Sequence, residues 1–136
     1  MTKVTITIPA YNEEATIIQL LEKVGAVNIK NFCLEVLVID DGSADRTTEL
    51  LEDRPELYTR LIKRASNGGK GAAVIDGLMQ ASGDYILFQD ADLEYDPAEY
   101  RKLFATISRF SADVVIGSRF IAPEYTRVSY FWHKFG

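Results

Sequence analysis

Short apolar runs alternate with helical patterns along this chain, and this alternation is the feature that most restricts its fold. The runs are rich in β-branched and aromatic residues, whereas the segments between them repeat apolar residues every three or four positions. Strands that alternate with helices form βαβ units, whose right-handed crossovers build a mostly parallel sheet with helices on both faces. The sequence therefore predicts an α/β fold. The five predicted strands are Val4–Pro9, Cys33–Ile39, Thr59–Ile62, Tyr85–Phe88 and Asp113–Gly117.

Four helices are predicted between these strands, each from an apolar face or a capping signal. The second helix is placed near Asp45–Glu52, after the turn and capping residues "DGS". Gly83 is expected to close the third helix. Asp96 is expected to cap the fourth helix, with Pro97 as its first residue. The apolar faces expected for the first, third and fourth helices are, in turn, Ile17, Leu20, Leu21 and Val24; Val74, Ile75, Leu78 and Met79; and Tyr100, Leu103, Phe104, Ile107 and Phe110.

Length and charge narrow the class of protein further. A chain of 136 residues is expected to form a single domain, 1–136. Its formal net charge of −5 argues against a nucleic-acid partner, which needs a basic surface. No apolar run approaches the ~18 residues of a membrane span, and the first residues lack the apolar run of a signal peptide. We therefore expect a cytoplasmic protein, and the single Cys33 is consistent with a reducing compartment.

A polar cluster follows every predicted strand. In open α/β sheets, ligands bind beyond the carboxyl ends of the strands, and that is where these clusters fall. The five segments are therefore expected to converge on one rim of the sheet. In chain order the clusters are "AYNEE", "DDGS", "SNGGKG", "DAD" and "GSR".

The predicted rim crowds several carboxylates, which repel one another unless a cation or hydrogen-bond donors compensate them. Oxygen ligands without a Cys or His cluster favour Mg²⁺ or Mn²⁺, which share their coordination with substrate phosphates. A lone D-x-D pattern is weak evidence because such residues often cap helices, but here Asp96 already supplies a cap. The residues therefore predict a diphosphate ligand bridged by a divalent cation. The carboxylates of the rim are Asp40, Asp41, Asp90 and Asp92, with Glu13 or Glu14 nearby.

Two segments each leave two interpretations open. The loop "SNGGKG" lets the backbone approach a ligand closely, so that Lys70 contacts a phosphate, or it is a plain turn with a solvated lysine. The segment 119–136 combines several aromatic residues with more basic than acidic ones. Such a mixture suits a membrane interface with anionic head groups, and it equally suits packing against another part of a larger protein.

Taken together, several stretches make the chain resemble the family 2 glycosyltransferases of the GT-A fold. The resemblance is greatest to the polyprenyl or dolichyl phosphate sugar synthases, membrane-associated enzymes that move a sugar from a nucleotide donor to a lipid phosphate. It implies a Rossmann-like, nucleotide-diphospho-sugar transferase fold and a UDP- or GDP-linked sugar as the donor. The stretches that carry it are "TIPAYNEE", "VLVIDDGSADRT", "NGGKGAAVIDG", "GDYILFQDADLEYDP" and "ADVVIGSRF".

The resemblance also implies roles for individual residues. Asp90 and Asp92 would be the metal motif, with Asp92 favoured as the direct ligand. Arg119, and with it Arg127, would bind the phosphate of the acceptor, and the transfer would be a one-step inverting displacement. The residues that would hold the donor are Pro9, Ala10, Tyr11, Glu13 and Asp41, where Asp41 would touch the base.

One departure from the family leaves alternatives. Its members continue well past "YFWHKFG", so 119–136 would be the start of an incomplete acceptor-side or membrane-proximal region. The chain would then be an artificially shortened or natural fragment, and the full-length protein would lie at the cytoplasmic face of a membrane. A second hypothesis is a module that binds a nucleotide-sugar without turning it over. A third hypothesis is an Mg²⁺-binding phosphoacceptor receiver domain, because "VLVIDDGS" resembles the strand of such domains that ends in an acidic pair. In receiver domains, however, that strand is the first one.

Overall fold

Residues 1–116 and 130–133 are described by the structure, a computed structural model. They form six strands, four α-helices and two short 3₁₀ turns in alternating order. The strands are β1 (Thr2–Ala10), β2 (Phe32–Asp40), β3 (Arg60–Lys63), β4 (Tyr85–Phe88), β5 (Val114–Ile116) and β6 (Tyr130–His133). The helices are α1 (Ile17–Gly25), α2 (Thr47–Asp53), α3 (Lys70–Gln80) and α4 (Tyr100–Phe110), and the 3₁₀ turns are Pro55–Leu57 and Pro97–Glu99.

The strands form one sheet in the order β3-β2-β1-β4-β6-β5. The first four are parallel neighbours, whereas β6 lies between β4 and β5 and runs antiparallel to both. The predicted α/β fold with a mostly parallel sheet is therefore confirmed. No strand is predicted for Tyr130–His133, because "YFWH" lacks the alternation of apolar and polar residues that marks a strand.

The core consists of two apolar layers, one on each face of the sheet, because successive side chains of a strand point to opposite faces. Three helices, α1, α2 and α4, cover one face, and α3 covers the other, which confirms that helices lie on both faces. The first layer includes Ile6, Ile8, Leu20, Leu51 and Phe104. The second layer includes Leu37, Ile39, Ala73 and Ile86.

The apolar face expected for α3 is wrong. The helix buries Ala73 and Gly77, while Ile75 is 59% and Met79 80% exposed. A Cβ on Gly77 would lie 2.4 Å from Cγ2 of Thr7, so this helix lies too close to β1 for a larger side chain. Periodicity identifies the largest apolar residues, and here the smallest ones make the contact.

The start of α4 is predicted correctly, whereas the burial expected for Phe110 is wrong. The Asp96 carboxylate accepts a hydrogen bond of 3.0 Å from the backbone N–H of Ala98, and Pro97 begins the 3₁₀ turn that leads into the helix. Tyr100 and Phe104 are buried as expected. Phe110, the last helical residue, is 66% exposed, and the Arg109 guanidinium lies 5.2 Å from the centre of its ring.

Gly83 does not close α3, which ends at Gln80, but it is required for another reason. Its ideal Cβ would lie 2.7 Å from the backbone nitrogen of Thr5 and 2.8 Å from the carbonyl oxygen of Tyr85. Backbone atoms of two strands can move little, so we expect Gly83→Ala to lower the free energy of unfolding by about 1 to 3 kcal/mol. Urea unfolding followed by circular dichroism measures this change.

Gly25→Ala is the matched control for Gly83→Ala. Gly25 is the exposed last residue of α1, and no atom lies within 4 Å of the Cβ that alanine would add. We expect this variant to unfold at the wild-type urea concentration or above it. A Gly83→Ala variant as stable as the wild type would contradict the close approach of this residue to β1.

Candidate functional site

A cleft of about 270 Å³ opens at the carboxyl ends of the parallel strands. Its lining comes from the end of β1 and the loop after it, from the loops after β2 and β4, and from the first turn of α3 and the loop before it. Every donor-side and metal residue predicted from the sequence lines it, although these residues lie on four separate segments. The lining residues are Pro9, Ala10, Tyr11, Glu13, Asp41, Asn67, Gly69, Lys70, Ala73, Asp90, Ala91 and Asp92.

A second cleft, of about 310 Å³, lies elsewhere and is slightly larger. It lies between the end of α1 and the beginning of β2, with Val24, Phe32 and Tyr58 in its walls. None of the predicted site residues within 1–116 lines it. Chemistry rather than size therefore identifies the cleft at the carboxyl ends of the strands as the candidate site.

Hydrogen bonds connect the loop after β1 to the loop after β2. Asn12, whose φ is +51°, accepts a bond of 2.8 Å from the N–H of Ala44 and donates its own N–H to the Ser43 hydroxyl at 3.1 Å. The N–H of Glu13 donates to the Thr47 hydroxyl at 2.9 Å. These bonds fix the backbone that presents Tyr11 and Glu13 to the cleft.

The two aspartates that end β2 are compensated by donors of the chain itself. Asp40 is 2% exposed, and its carboxylate accepts from the N–H of Ser43 at 3.0 Å and from the Thr48 hydroxyl. It does not line the cleft. The negative charge of Asp40 is therefore compensated by hydrogen-bond donors and not by a cation. Asp40 shapes the loop after β2.

Asp41 is 3% exposed and joins β2 to the glycine-rich loop 66–69. Its carboxylate accepts bonds from the N–H groups of Gly68 at 3.0 Å and Gly69 at 2.9 Å and from the Arg64 guanidinium at 2.8 Å. Burial alone would raise the pKa of Asp41, but these donors outweigh burial and hold the pKa below its usual range. Asp41 is therefore an ionised acceptor at the edge of the cleft.

Arg64 is a site residue that the sequence analysis misses. It follows β3, and its guanidinium bridges Asp41 at 2.8 Å and Asp76 of α3 at 2.8 Å. Gly42, which follows Asp41, lies so close to the glycine-rich loop 66–69 that a Cβ would be 2.7 Å from the Asn67 backbone nitrogen. The position of Arg64 just past a strand's carboxyl end is the signal that could have found it.

The two aspartates after β4 differ from those after β2, because the chain leaves them accessible. Asp90 is half-buried and forms an ion pair with the ammonium group of Lys70, the first residue of α3. Asp92 is exposed, and its carboxylate accepts a bond of 3.0 Å from the N–H of Glu94. Between them Ala91 is buried, and its carbonyl accepts a bond of 2.7 Å from the Thr16 hydroxyl.

The remaining predictions concern metal ligands, membrane spans and two arginines. Among residues 1–116 and 130–133, no group of three or more His, Cys, Asp or Glu side chains could hold a metal ion alone. No helix of the same residues is long and apolar enough to span a bilayer. Arg119 and Arg127, predicted to bind an acceptor phosphate, lie outside the described residues.

Comparison with known proteins identifies relatives that match most of the chain. Residues 5–134 match the family described as Glycosyl transferase family 2. A dolichol-phosphate mannosyltransferase of Pyrococcus furiosus is 36% identical over 120 residues, covering 88% of this chain and 34% of the relative. An undecaprenyl-phosphate 4-deoxy-4-formamido-L-arabinose transferase of Yersinia enterocolitica is 35% identical over 117 residues, covering 83% and 36%. The chain thus spans about a third of the length of these relatives.

Solved structures of similar fold carry nucleotide ligands. S. aureus TarS 1-349 in complex with UDP-GlcNAc superposes with a TM-score of 0.71 at 29% identity, over 84% of this chain and 33% of that chain. The mannosyltransferase PcManGT from Pyrobaculum calidifontis, in complex with GDP-Man and Mn²⁺, gives 0.63 at 27% identity, over 85% and 34%. Both solved chains are about three times as long as the part that they share with this chain.

Proposed function

Because the chain belongs to glycosyl transferase family 2, we propose that it is the donor-binding part of a transferase that moves a sugar from a UDP- or GDP-linked donor to a polyprenyl phosphate. The observation that carries the proposal is the cleft in which Asp41, Lys70, Asp90 and Asp92 meet. The match over residues 5–134 leaves the receiver-domain hypothesis without support. The buried and fully bonded Asp40 gives it none either.

The nucleoside of the donor would occupy the part of the cleft between β1 and β2. Pro9, Ala10, Tyr11 and Glu13 form one wall there, and Asp41 is at its edge. An ionised carboxylate accepts hydrogen bonds and donates none, so Asp41 suits the N–H groups of uracil or guanine. TarS and PcManGT were solved with a uridine and a guanosine donor, which supports either base.

The diphosphate of the donor would lie at the other end of the cleft, beside Lys70, Asp90 and Asp92. Among the described residues, Asp90 and Asp92 are the carboxylates that line this end of the cleft, and a hard cation held by two carboxylates takes its remaining ligands from water and phosphate. Asp90 and Asp92 would hold Mg²⁺ or Mn²⁺, and PcManGT was solved with Mn²⁺. When bound, the cation would neutralise negative charge on the departing nucleoside diphosphate. Lys70 supplies a further positive charge at the same place.

The acceptor would be bound by Arg119 and Arg127, whose guanidinium groups suit a phosphate. The relatives from P. furiosus and Y. enterocolitica are named for dolichol-phosphate and undecaprenyl-phosphate, which supports a polyprenyl phosphate for this chain. A lipid phosphate is already an anion near neutral pH, so direct inverting displacement requires positioning more than a strong base. The segment 119–136 would begin the acceptor-side region, at the cytoplasmic face of a membrane in the full-length protein.

Calorimetric titration of UDP-glucose and GDP-mannose into the purified chain tests this function. Each donor is titrated with Mn²⁺ and again with EDTA, and we expect one of them to bind only with the metal. Binding of neither donor would overturn the proposed donor cleft. Release of nucleoside diphosphate in the presence of polyprenyl phosphate would then separate a transferase from a module that binds the donor without turnover.

A further inference from the structure

Gln89 lies between β4 and the acidic loop, residues 90–95, which carries Asp90 and Asp92. It is 1% exposed, and its backbone N–H continues the sheet by donating to the carbonyl of Thr7 at 3.0 Å. Its side chain therefore lies in the interior, directly beneath the loop. Neither the sequence motifs nor the proposed function assigns it a role.

The side-chain amide of Gln89 uses both of its hydrogens on the acidic loop. Nε2 donates to the carbonyl of Asp90 at 3.0 Å and to the carbonyl of Tyr95 at 3.0 Å, the first and last residues of the loop. Oε1 accepts a bond of 2.6 Å from the buried Tyr100 hydroxyl. Two carbonyl partners on one side and a hydroxyl on the other fix the orientation of the amide.

The acidic loop needs such support, because two features of the loop itself oppose its conformation. Asp90 and Asp92 carry like charges only two residues apart. Leu93 adopts a φ of +63°, a left-handed conformation that a leucine keeps only when its surroundings impose it. Gln89 joins the two ends of the loop through one buried group, and α4 holds that group in place through Tyr100.

We propose that Gln89 is a positioning residue for the metal site: its amide holds the acidic loop closed so that Asp90 and Asp92 present their carboxylates together. The inference rests on the proposed function, in which these two aspartates bind a divalent cation. Gln89 itself touches neither the cation nor the donor. It acts as an outer partner that orients the ligands, and loss of such partners typically weakens metal binding by about 10- to 100-fold.

The test compares Gln89→Leu, which keeps the approximate volume but removes every side-chain hydrogen bond, with Tyr100→Phe, which removes only the hydroxyl that holds Oε1. Thr5→Val is the matched control, because Thr5 is equally buried in the sheet and its hydroxyl bonds to Glu35 at 2.5 Å, outside the cleft. Mn²⁺ affinity is measured by electron paramagnetic resonance with UDP or GDP present. Urea unfolding of each variant measures its stability separately.

We expect Gln89→Leu to lower the Mn²⁺ affinity of the folded protein about tenfold or more, and Tyr100→Phe by a smaller factor. Thr5→Val should lose stability and keep its affinity. Wild-type affinity in Gln89→Leu would overturn the inference, and so would an equal loss in Thr5→Val. Should Gln89→Leu fail to fold, the affinity of Tyr100→Phe decides, and an unchanged value would overturn it.

Backbone ¹⁵N relaxation of residues 90–95 distinguishes failure of this inference from failure of the proposed function. The inference predicts greater mobility of these amides in Gln89→Leu and in Tyr100→Phe, without any metal. A wild-type chain that binds no Mn²⁺ overturns the proposed metal site, and the relaxation still decides whether Gln89 holds the loop. Unchanged relaxation in both variants overturns the role of Gln89.

Discussion

Replacing Asp92 by asparagine is expected to lower metal-dependent affinity for the nucleotide-sugar by about 100-fold or more, which corresponds to about 2.7 kcal/mol. Asp92 is exposed, and its one bond in the structure, from the N–H of Glu94, can be kept by the asparagine oxygen. The substitution therefore removes a charge and a strong metal ligand without disturbing the fold. The free energy of unfolding should change by no more than about 0.5 kcal/mol.

Calorimetric titration of the donor with Mn²⁺ measures the effect of Asp92→Asn, and urea unfolding confirms that the variant is folded. Asp53→Asn is the control, because Asp53 is the exposed last residue of α2 and undergoes the same loss of charge outside the cleft. Affinity of the control should equal that of the wild type. If Asp92→Asn also binds the donor with wild-type affinity in Mn²⁺, Asp92 is not a metal ligand.

The fold could be predicted because it depends on short-range patterns. Each of the four strands β1 to β4 is recognisable from the residue types within it. The handedness of βαβ crossovers then leaves few ways to arrange these strands in a sheet. Parallel strands end at one edge, so the polar clusters that follow them had to meet, and eight predicted residues do line one cleft. Likeness to the solved glycosyltransferase structures confirms the GT-A fold that the motifs imply.

The packing of α3 could not be predicted in the same way. Its contact with β1 depends on the absence of a side chain at Gly77, which brings the helix close enough to expose Ile75 and Met79. No periodicity of large apolar residues records such an approach. Strand β6 presents a related difficulty, because its position between β4 and β5 depends on pairing with strands distant in sequence.

The sequence also could not show which carboxylates remain available to a ligand. Asp40 and Asp41 are adjacent, yet neither needs a cation, because donors reach them from the chain. The Gly68 N–H that donates to Asp41 lies 27 residues further along the chain. Only the folded structure separates these two buried aspartates from the accessible Asp90 and Asp92, and so directs the metal hypothesis to the acidic loop.

Glu35 should make the stability of this protein fall steeply in acid. Its carboxylate, 4% exposed in β2, accepts bonds from the Thr5 hydroxyl at 2.5 Å and from the Ser82 N–H at 3.0 Å, and Lys3 lies 3.3 Å away. Burial alone would raise the pKa of Glu35, but these hydrogen bonds outweigh burial and lower the pKa from 4.5 to about 2. A shift of this size corresponds to about 3 kcal/mol of stability for the ionised form.

The sign follows from the lowered pKa. Above pH 4.5 the group is ionised in both the folded and the unfolded chain, and its contribution is fully present. Between pH 4.5 and about 2 the unfolded chain takes up the proton first, so the contribution is lost as the pH falls through this range. Urea unfolding at a series of pH values from 7 to 2.5 measures the loss.

The carboxyls of Asp41 and Asp45 also have a lowered pKa, because their hydrogen bonds outweigh burial, and they add to the acid sensitivity of the wild type. The variant Glu35→Gln separates the contribution of Glu35 from theirs. The variant should be less stable than the wild type at pH 7, since an uncharged amide replaces an acceptor of charge-assisted bonds. The difference between the two proteins should then shrink below pH 4.5, as the wild type loses what the variant never had. A constant difference across that range would mean that Glu35 does not titrate between pH 4.5 and 2, and that Lys3, Thr5 and Ser82 do not stabilise its ionised form.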